Sequence, residues 1–225
     1  MDRRFAVFLT LALAAPAARA QAPAPRPAPA PAKPPAPKEA PVAPGTEAVV
    51  ETAKGTFTIR LLPEVAPKHV ALFVKTARAG GYDGTTFHRV ITGGIIQGGD
   101  PLTKDPANAA VYGTGGNKDA QGNPVNVKAE FNDVSHRRGI LSMARASSPD
   151  SASSQFFVVV KDSPFLDRQY TAFGEVAKGI EIADKIVSES NTDPASGGAG
   201  KPRNLQKIVK VELTEEAPAP APAKN

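Results

Sequence analysis

Proline sets the first limit on what this 225-residue chain can fold into. Ten of its 23 prolines crowd into residues 21 to 44 and three into residues 217 to 225, while residues 45 to 216 hold nine. Each proline fixes φ and removes a backbone donor, and QAPAPRPAPAPAKPPAPKEAPVAP has too few large apolar side chains to build a core. Residues 21 to 44 are therefore expected to be a disordered Ala/Pro linker that samples extended polyproline II. Residues 215 to 225 repeat the composition as a short disordered tail. Folding is left to one domain over residues 45 to 214, a length that buries roughly two thirds of its chain surface without a staple.

Charge is segregated in the same way. The formal net charge is +5, yet residues 45 to 216 carry 20 basic and 20 acidic side chains, so the excess lies in the flanks. A nucleic-acid binder carries its basic excess on the folded surface, and no nucleic acid is expected as a partner. Residues 1 to 20 read as a signal peptide: Arg3 and Arg4 give a positive start, Phe5 to Ala15 an apolar run, and Ala18-Arg19-Ala20 a small-x-small cleavage site. That run falls short of the ~20 residues a spanning helix needs. Cleavage would leave a periplasmic or secreted protein with no membrane attachment; an uncleaved anchor is the alternative. The chain has no cysteine, so neither a disulfide nor a lipidated cysteine is available to it.

Within the domain the pattern is of short strands. Ala48 to Leu62 reads as a hairpin turning at Lys54-Gly55. Pro67 opens a helix whose Val70, Phe73, Val74 and Ala77 share one face, and Gly80-Gly81 stops it. Strand-like runs follow at Phe87 to Ile91, Ile95 to Gly98, Gly139 to Met143, Phe156 to Val160, Thr171 to Val176 and Leu205 to Leu213. A second helix fits Ile180 to Ser188, with Ile180, Ala183 and Val187 on one side. A doubly wound parallel sheet would need a crossover helix between most strands. A closed antiparallel barrel or sandwich suits this pattern instead, and closure, which leaves no open edge, favours a monomer. The stretch from Pro101 to Pro124 exceeds ordinary connections and is expected to be functional or mobile.

The usual catalytic signatures are missing: no zinc-protease helix pair, nucleophile elbow, phosphate-loop lysine or calcium loop. His69, His88 and His136 show no metal-ligand spacing, and Gly113-Thr114-Gly115-Gly116 has neither a strand before it nor a helix after it. No metal, nucleotide or other cofactor is expected. What stands out is polar side chains set in apolar strands. Period two places Ile95 with Gln97, opposite Ile96, and Gln155 with Phe157, opposite Phe156 and Val158. An amide beside a large apolar group suits a groove that holds something apolar while hydrogen-bonding its backbone. Arg89 sets an always-charged donor among apolar neighbours, where it must border water or a ligand, or form a structural salt bridge.

At these residues the chain resembles the cyclophilin family of peptidyl-prolyl cis-trans isomerases. Phe87-His88-Arg89-Val90-Ile91 and Gln97-Gly98-Gly99-Asp100-Pro101 are similar to the family's FHRVI and QGGDP blocks. Ala129 to Asn132, His136 to Ala144, Ser154 to Phe157, Leu166-Asp167 and Phe173-Gly174 continue in family order, so the resemblance spans roughly residues 47 to 214. It implies a mainly β fold, a closed eight-stranded antiparallel barrel capped by two helices, with the active groove on the outer wall. It implies proline-containing peptide segments as partners and catalysis of X-Pro rotation, here during folding of exported proteins. The rival is a proline-peptide binding module or holdase with little catalysis.

By position, Arg89 matches the family's catalytic arginine and Gln97 the glutamine that binds the substrate carbonyl. Ile95, Phe157 and Leu166 match walls of the proline pocket, and Ala144 and Gln155 the neighbouring rim. His88 falls in the motif as a structural or rim-lining residue. Phe165 stands where many relatives have tryptophan and Tyr170 where many have histidine, which implies poor inhibition by cyclosporin. Two departures bear on the site. Gly94 replaces an aromatic wall, a loss of about 1 to 3 kcal/mol in proline binding if nothing refills the space. Arg145, where asparagine is common, changes the charge of the rim.

Overall fold

In the computed structural model the described residues are 41 to 190, 192 and 200 to 214. The expected signal peptide, most of the linker and the tail lie outside them. Ahead of β1, Val42 packs against the core, and Thr46 donates from both its backbone N and its Oγ1 to the Ala43 carbonyl.

Strict alternation makes the first wall of the sheet. Strands β1 (Glu47–Thr52) and β2 (Gly55–Leu61) form the expected hairpin, with Ala48, Val50, Phe57, Ile59 and Leu61 turned inward and buried. Strand β9 (Gln206–Thr214) adds to β1 with a register shift between Glu51 and Thr52. The other wall comes from β5 (Ile95–Gly98), β6 (Ile140–Met143), β7 (Phe156–Val159) and β8 (Ala172–Lys178). Every pairing is antiparallel, in the order β3-β9-β1-β2-β8-β6-β7-β5-β4.

The sheet has nine strands rather than the expected eight, and the difference is one residue. The run Phe87 to Ile91 is broken at His88 into β3 (Thr86–Phe87), which pairs with β9, and β4 (Arg89–Val90), which pairs with β5. The two ends of the strand order are thus neighbours in the chain. The barrel closes through that segment except at His88, so Phe87 faces the interior while Arg89 faces outward beside Gln97.

The interior is a single core with Phe73, Tyr82, Phe87, Phe156 and Phe173 at its centre, their ring centroids 5.0 to 6.5 Å apart. Helix α1 (Pro67–Arg78) contributes Val70, Phe73, Val74 and Ala77 as its pattern predicts. Its amino end has no side-chain cap of its own and no acid in its first turn. Glu130, distant in sequence, supplies both: its carboxylate accepts from Lys68 N and His69 N, each at 3.0 Å, and meets His69 Nδ1 at 2.7 Å. Negative charge there complements the helix dipole and satisfies orphan N–H groups. Helix α2 (Ile180–Glu189) is turned relative to expectation. Ile182, Ala183 and Ile186 are buried, while Ile180 and Val187 only flank the core. Gly179 starts this helix at φ 81, and a Cβ there would stand 2.6 Å from the Thr56 carbonyl, so only glycine fits.

Candidate active groove on the outer wall

In β6 and β7 the outer face is buried as thoroughly as the inner face. All four residues of β6 and of β7 are buried. Ile95, Ile140, Ala144, Phe157, Val159 and Ala172 form a second apolar cluster outside the barrel, joined by Ile91, Val134, Leu166 and Tyr170. The segment from Ser163 to Tyr170 covers part of this face. What it leaves uncovered is a groove of about 690 Å³.

Register fixes the chemistry across that groove. Arg89 pairs with Gln97, Gln97 with Phe157 and Phe157 with Ser142, so four outward side chains lie in one row across β4, β5, β7 and β6. Neighbouring strands are ~4.8 Å apart, which sets Arg89 and Phe157 about 10 Å from each other with Gln97 between them. Polar contacts run along the row. Arg89 Nη1 donates to Gln97 Oε1 (3.2 Å), and Gln97 Nε2 donates to Gln155 Oε1 (2.9 Å). Gln155 Nε2 donates in turn to the carbonyls of Gly113 (2.9 Å) and Gly115 (2.8 Å). The N–H groups of those same two glycines donate to the buried carboxylate of Asp100, at 2.5 and 3.3 Å. The long segment after Pro101 is therefore not loose: two 3-10 turns and the Asp100 cradle tie it down beside the groove, where it supplies Ala109, Ala110, Tyr112 and Gly113 to the lining.

Phe157 is braced from both sides. The His136 ring stacks on it (6.1 Å between centroids), Tyr170 meets it edge-on (5.5 Å), and the Arg145 guanidinium lies 4.8 Å over Tyr170. His136 is held by Asp167 at Nδ1 (2.9 Å) and Ser142 at Nε2 (3.0 Å). These three residue types in this order also make a hydrolytic triad. Here Ser142 is fully buried beneath the groove floor, so the chain fixes the ring behind Phe157 and presents no nucleophile.

Nine of the ten residues singled out from the sequence line the groove: His88, Arg89, Ile95, Gln97, Ala144, Phe157, Phe165, Leu166 and Tyr170. Gln155 does not. It bonds Gln97 and Gly113, which do line it, and so links the row to the glycine loop. His88, at the break between β3 and β4, is buried, and its charged form is disfavoured chiefly by that burial, opposed in part by the charge of Asp100. Gln155 and the Thr86 backbone lie near enough to favour the charged ring, but neither meets hydrogen-bond geometry, and both ring nitrogens lack a partner. At Gly94 a Cβ would come within 3.0 Å of Ile91 Cγ2, so Ile91 stands beside the position of the missing aromatic. Ile91, Ser163 and the segment Lys201, Pro202 and Leu205 are lining residues that sequence reading missed. The last three lie just before β9, Leu205 at the start of the expected strand, and no local pattern marks them as groove residues. The backbone bond from Val90 N to Gly200 O (2.6 Å) and the Thr192–Pro202 bridge, with Thr192 Oγ1 donating to the Val90 carbonyl, bring that segment to the groove.

An apolar trough on a closed barrel, edged by the guanidinium groups of Arg89 and Arg145 and by the Gln97 amide, is built to bind a peptide. Comparison with known proteins makes this specific. Residues 48 to 213 match the model of the cyclophilin type peptidyl-prolyl cis-trans isomerases. A probable peptidyl-prolyl cis-trans isomerase of Brucella suis is 40% identical over 173 residues, 76% of this chain and 83% of that one. Peptidyl-prolyl cis-trans isomerase A of Dickeya dadantii is 38% identical over 73% of this chain and 85% of its own. A Cryptosporidium parvum cyclophilin type isomerase, crystallised in the presence of the dipeptide Ala-Pro, superposes with a TM-score of 0.64 at 29% identity, covering 76% of this chain and 99% of that one. The chain belongs to the cyclophilin family, and its activity is peptidyl-prolyl cis-trans isomerisation. Among the described residues no helix is long and apolar enough to cross a membrane.

Proposed function

We propose that this isomerase turns X-Pro bonds in the groove on the outer wall, with Arg89 as the catalytic residue. Rotation about a peptide bond is slow because the nitrogen lone pair is delocalised into the carbonyl, a barrier of ~18 to 20 kcal/mol. A guanidinium that donates toward the prolyl nitrogen favours the pyramidal nitrogen of the twisted state over the planar ground state. Its stabilisation is differential and therefore catalytic. Bringing exchange from tens of seconds to milliseconds takes about four decades, about 5 to 6 kcal/mol. One aimed, charge-assisted donor supplies roughly 3 to 4 of this. Positioning supplies the rest: Ile95, Phe157 and Leu166 take the proline ring, Gln97 holds the substrate carbonyl, and Ala144, Phe165, Tyr170 and His88 border the chain on either side.

The observation that carries this reading is the cross-strand row in which Gln97 separates Arg89 from Phe157. The relative crystallised in the presence of Ala-Pro supports a prolyl peptide as the ligand. Exchange spectroscopy on an Ala-Pro peptide tests it. Arg89→Ala is expected to keep the fold and lose about 10² to 10³ in catalysed exchange, and an unchanged rate overturns the role. Binding shifts without faster exchange in the unaltered protein would favour the holdase alternative.

Residues 1 to 20 support a setting outside the cytoplasm, where the enzyme would act on exported chains as a monomer without membrane or nucleic-acid partners. Its mark is a mature chain beginning at Gln21 outside the cytoplasm; an exported chain that keeps Met1 would favour the uncleaved anchor, and a chain found only in the cytoplasm would overturn the setting.

A further inference from the structure

The groove is charged in a way that the domain is not. Residues 45 to 216 balance 20 cations against 20 carboxylates, yet among the described residues Arg89, Arg145 and Lys201 line the groove and no aspartate or glutamate does. The acids nearest in sequence to lining residues are turned to other work. Asp167, beside Leu166, accepts from the backbone N of His136 (2.7 Å) and from Ser135 Oγ (2.9 Å). Asp162, beside Ser163, accepts from Arg138 N (2.7 Å). Asp100, under Gly113, is buried among backbone N–H groups.

Arg145 is held in place without being neutralised. Nε donates to the Gln169 carbonyl (3.1 Å), and Nη1 to the carbonyls of Ala146 (3.0 Å) and Ser147 (3.2 Å), while the guanidinium plane rests over Tyr170. Carbonyl dipoles orient a guanidinium but leave its full charge. Nη2 has no hydrogen-bond partner among the described residues, so one edge of the fork remains to be used. Lys201 lies in the segment beside β4, is exposed, and has no ion-pair partner among the described residues. A preorganised guanidinium loses little freedom on meeting a carboxylate, and a groove of one sign raises the local concentration of the opposite sign.

We propose that the groove selects prolyl peptides that carry an acidic side chain immediately beside the proline, with the carboxylate seated against Arg145 on one flank or Lys201 on the other. This rests on the reading of the groove as the prolyl site and names the substrate class of that site.

The test uses the full chain and four peptides, Glu-Pro and Gln-Pro, Pro-Glu and Pro-Gln, which differ only in a charge next to the proline. At about 0.01 M ionic strength, where the Debye length is ~30 Å, the Glu peptide of at least one pair is expected to show about 5 to 10 times the kcat/KM of its Gln partner. At 1 M, where that length is ~3 Å, the ratio should fall below about 2. Arg145→Gln should collapse the ratio on one flank, Lys201→Gln on the other, and the double variant on both. Each ratio is read within one protein, so a common loss of rate or of folded fraction cancels. Equal acceleration of all four peptides, or a double variant that keeps the unaltered protein's ratio, overturns the charge selection and leaves the isomerase reading standing. Failure to accelerate any of the four overturns both.

Discussion

The two walls of this barrel share one interior and differ in what covers their outer faces. On the β1–β2–β9 side, burial alternates residue by residue: Glu47, Val49 and Glu51 face out beside Thr58 and Arg60, and water is their neighbour. On the β5–β6–β7 side alternation vanishes, because the inner residues meet the core while the outer ones meet Leu166, Tyr170, Val134 and Ile91. The first wall solves only a folding problem. The second has an outer layer that is incomplete, and the gap in that layer is the groove. A site of this kind needs no cavity inside the barrel; it needs one face to be packed up to an edge and then left open.

The sharpest way to break this comparison is within one strand. Phe156 and Phe157 are both at or below 2% exposure, but they face opposite sides of β7. Phe156 meets Phe73, Tyr82 and Phe87 in a closed interior, so Phe156→Ala leaves a cavity and is expected to cost about 3 to 5 kcal/mol. Phe157→Ala should cost about 2 to 3 kcal/mol, the transfer term alone, because its space opens onto the groove. It should also lower catalysed exchange about tenfold or more, through loss of the proline contact. Val49→Thr on the other wall should stay within about 0.5 kcal/mol and leave exchange unchanged. Denaturant midpoints and exchange rates measured across the three variants decide the matter. If Phe157→Ala matched Phe156→Ala in stability and kept its rate, the outer cluster would be ordinary core and the groove would lie elsewhere.

How far the sequence told these walls apart follows from its periods. Alternation in VVET and TFTIRL marks a one-faced wall, and the unbroken Phe156 to Val160 run marks a strand covered on both faces, so the strands and most of the groove floor were legible. Residues that reach the groove through tertiary contacts were not. Leu205 and Lys201 approach only because the chain before β9 runs beside β4, a placement that no local pattern encodes. His88 shows the same limit: period two continues through it, and only closure of the barrel requires the strand to change partners there. Gln155 was readable as an outward amide on the face of Phe157, but its partners were not, since Gly113 and Gly115 are brought under it by Asp100. Ile91, read as the end of a strand, also lines the groove and lies against Gly94.

Gln155 gives the finest test, because it joins the packed and open parts of the second wall. Its amide is engaged at both ends, accepting from Gln97 and donating to two glycine carbonyls. Gln155→Leu keeps much of the volume and removes all three bonds. Gln97 Nε2 then loses its partner, and the Gly113 and Gly115 carbonyls lose their donor. An unsatisfied buried group costs about 1 to 3 kcal/mol, but Gln97 is only half-buried, so the stability loss is expected near the lower end. The larger consequence falls on position. Without its anchor, Gln97 can rotate its amide and offer Arg89 an N–H in place of the carbonyl oxygen that it now presents, and the pair would no longer face a substrate together. Catalysed exchange should fall several-fold while the denaturant midpoint moves little, and Gln155→Glu, which sets a buried carboxylate against the Gly113 and Gly115 carbonyls, should cost more stability and recover no rate. A rate that tracks stability in both variants would mean that Gln155 only ties down the loop, and that the row from Arg89 to Phe157 is aligned by strand register alone.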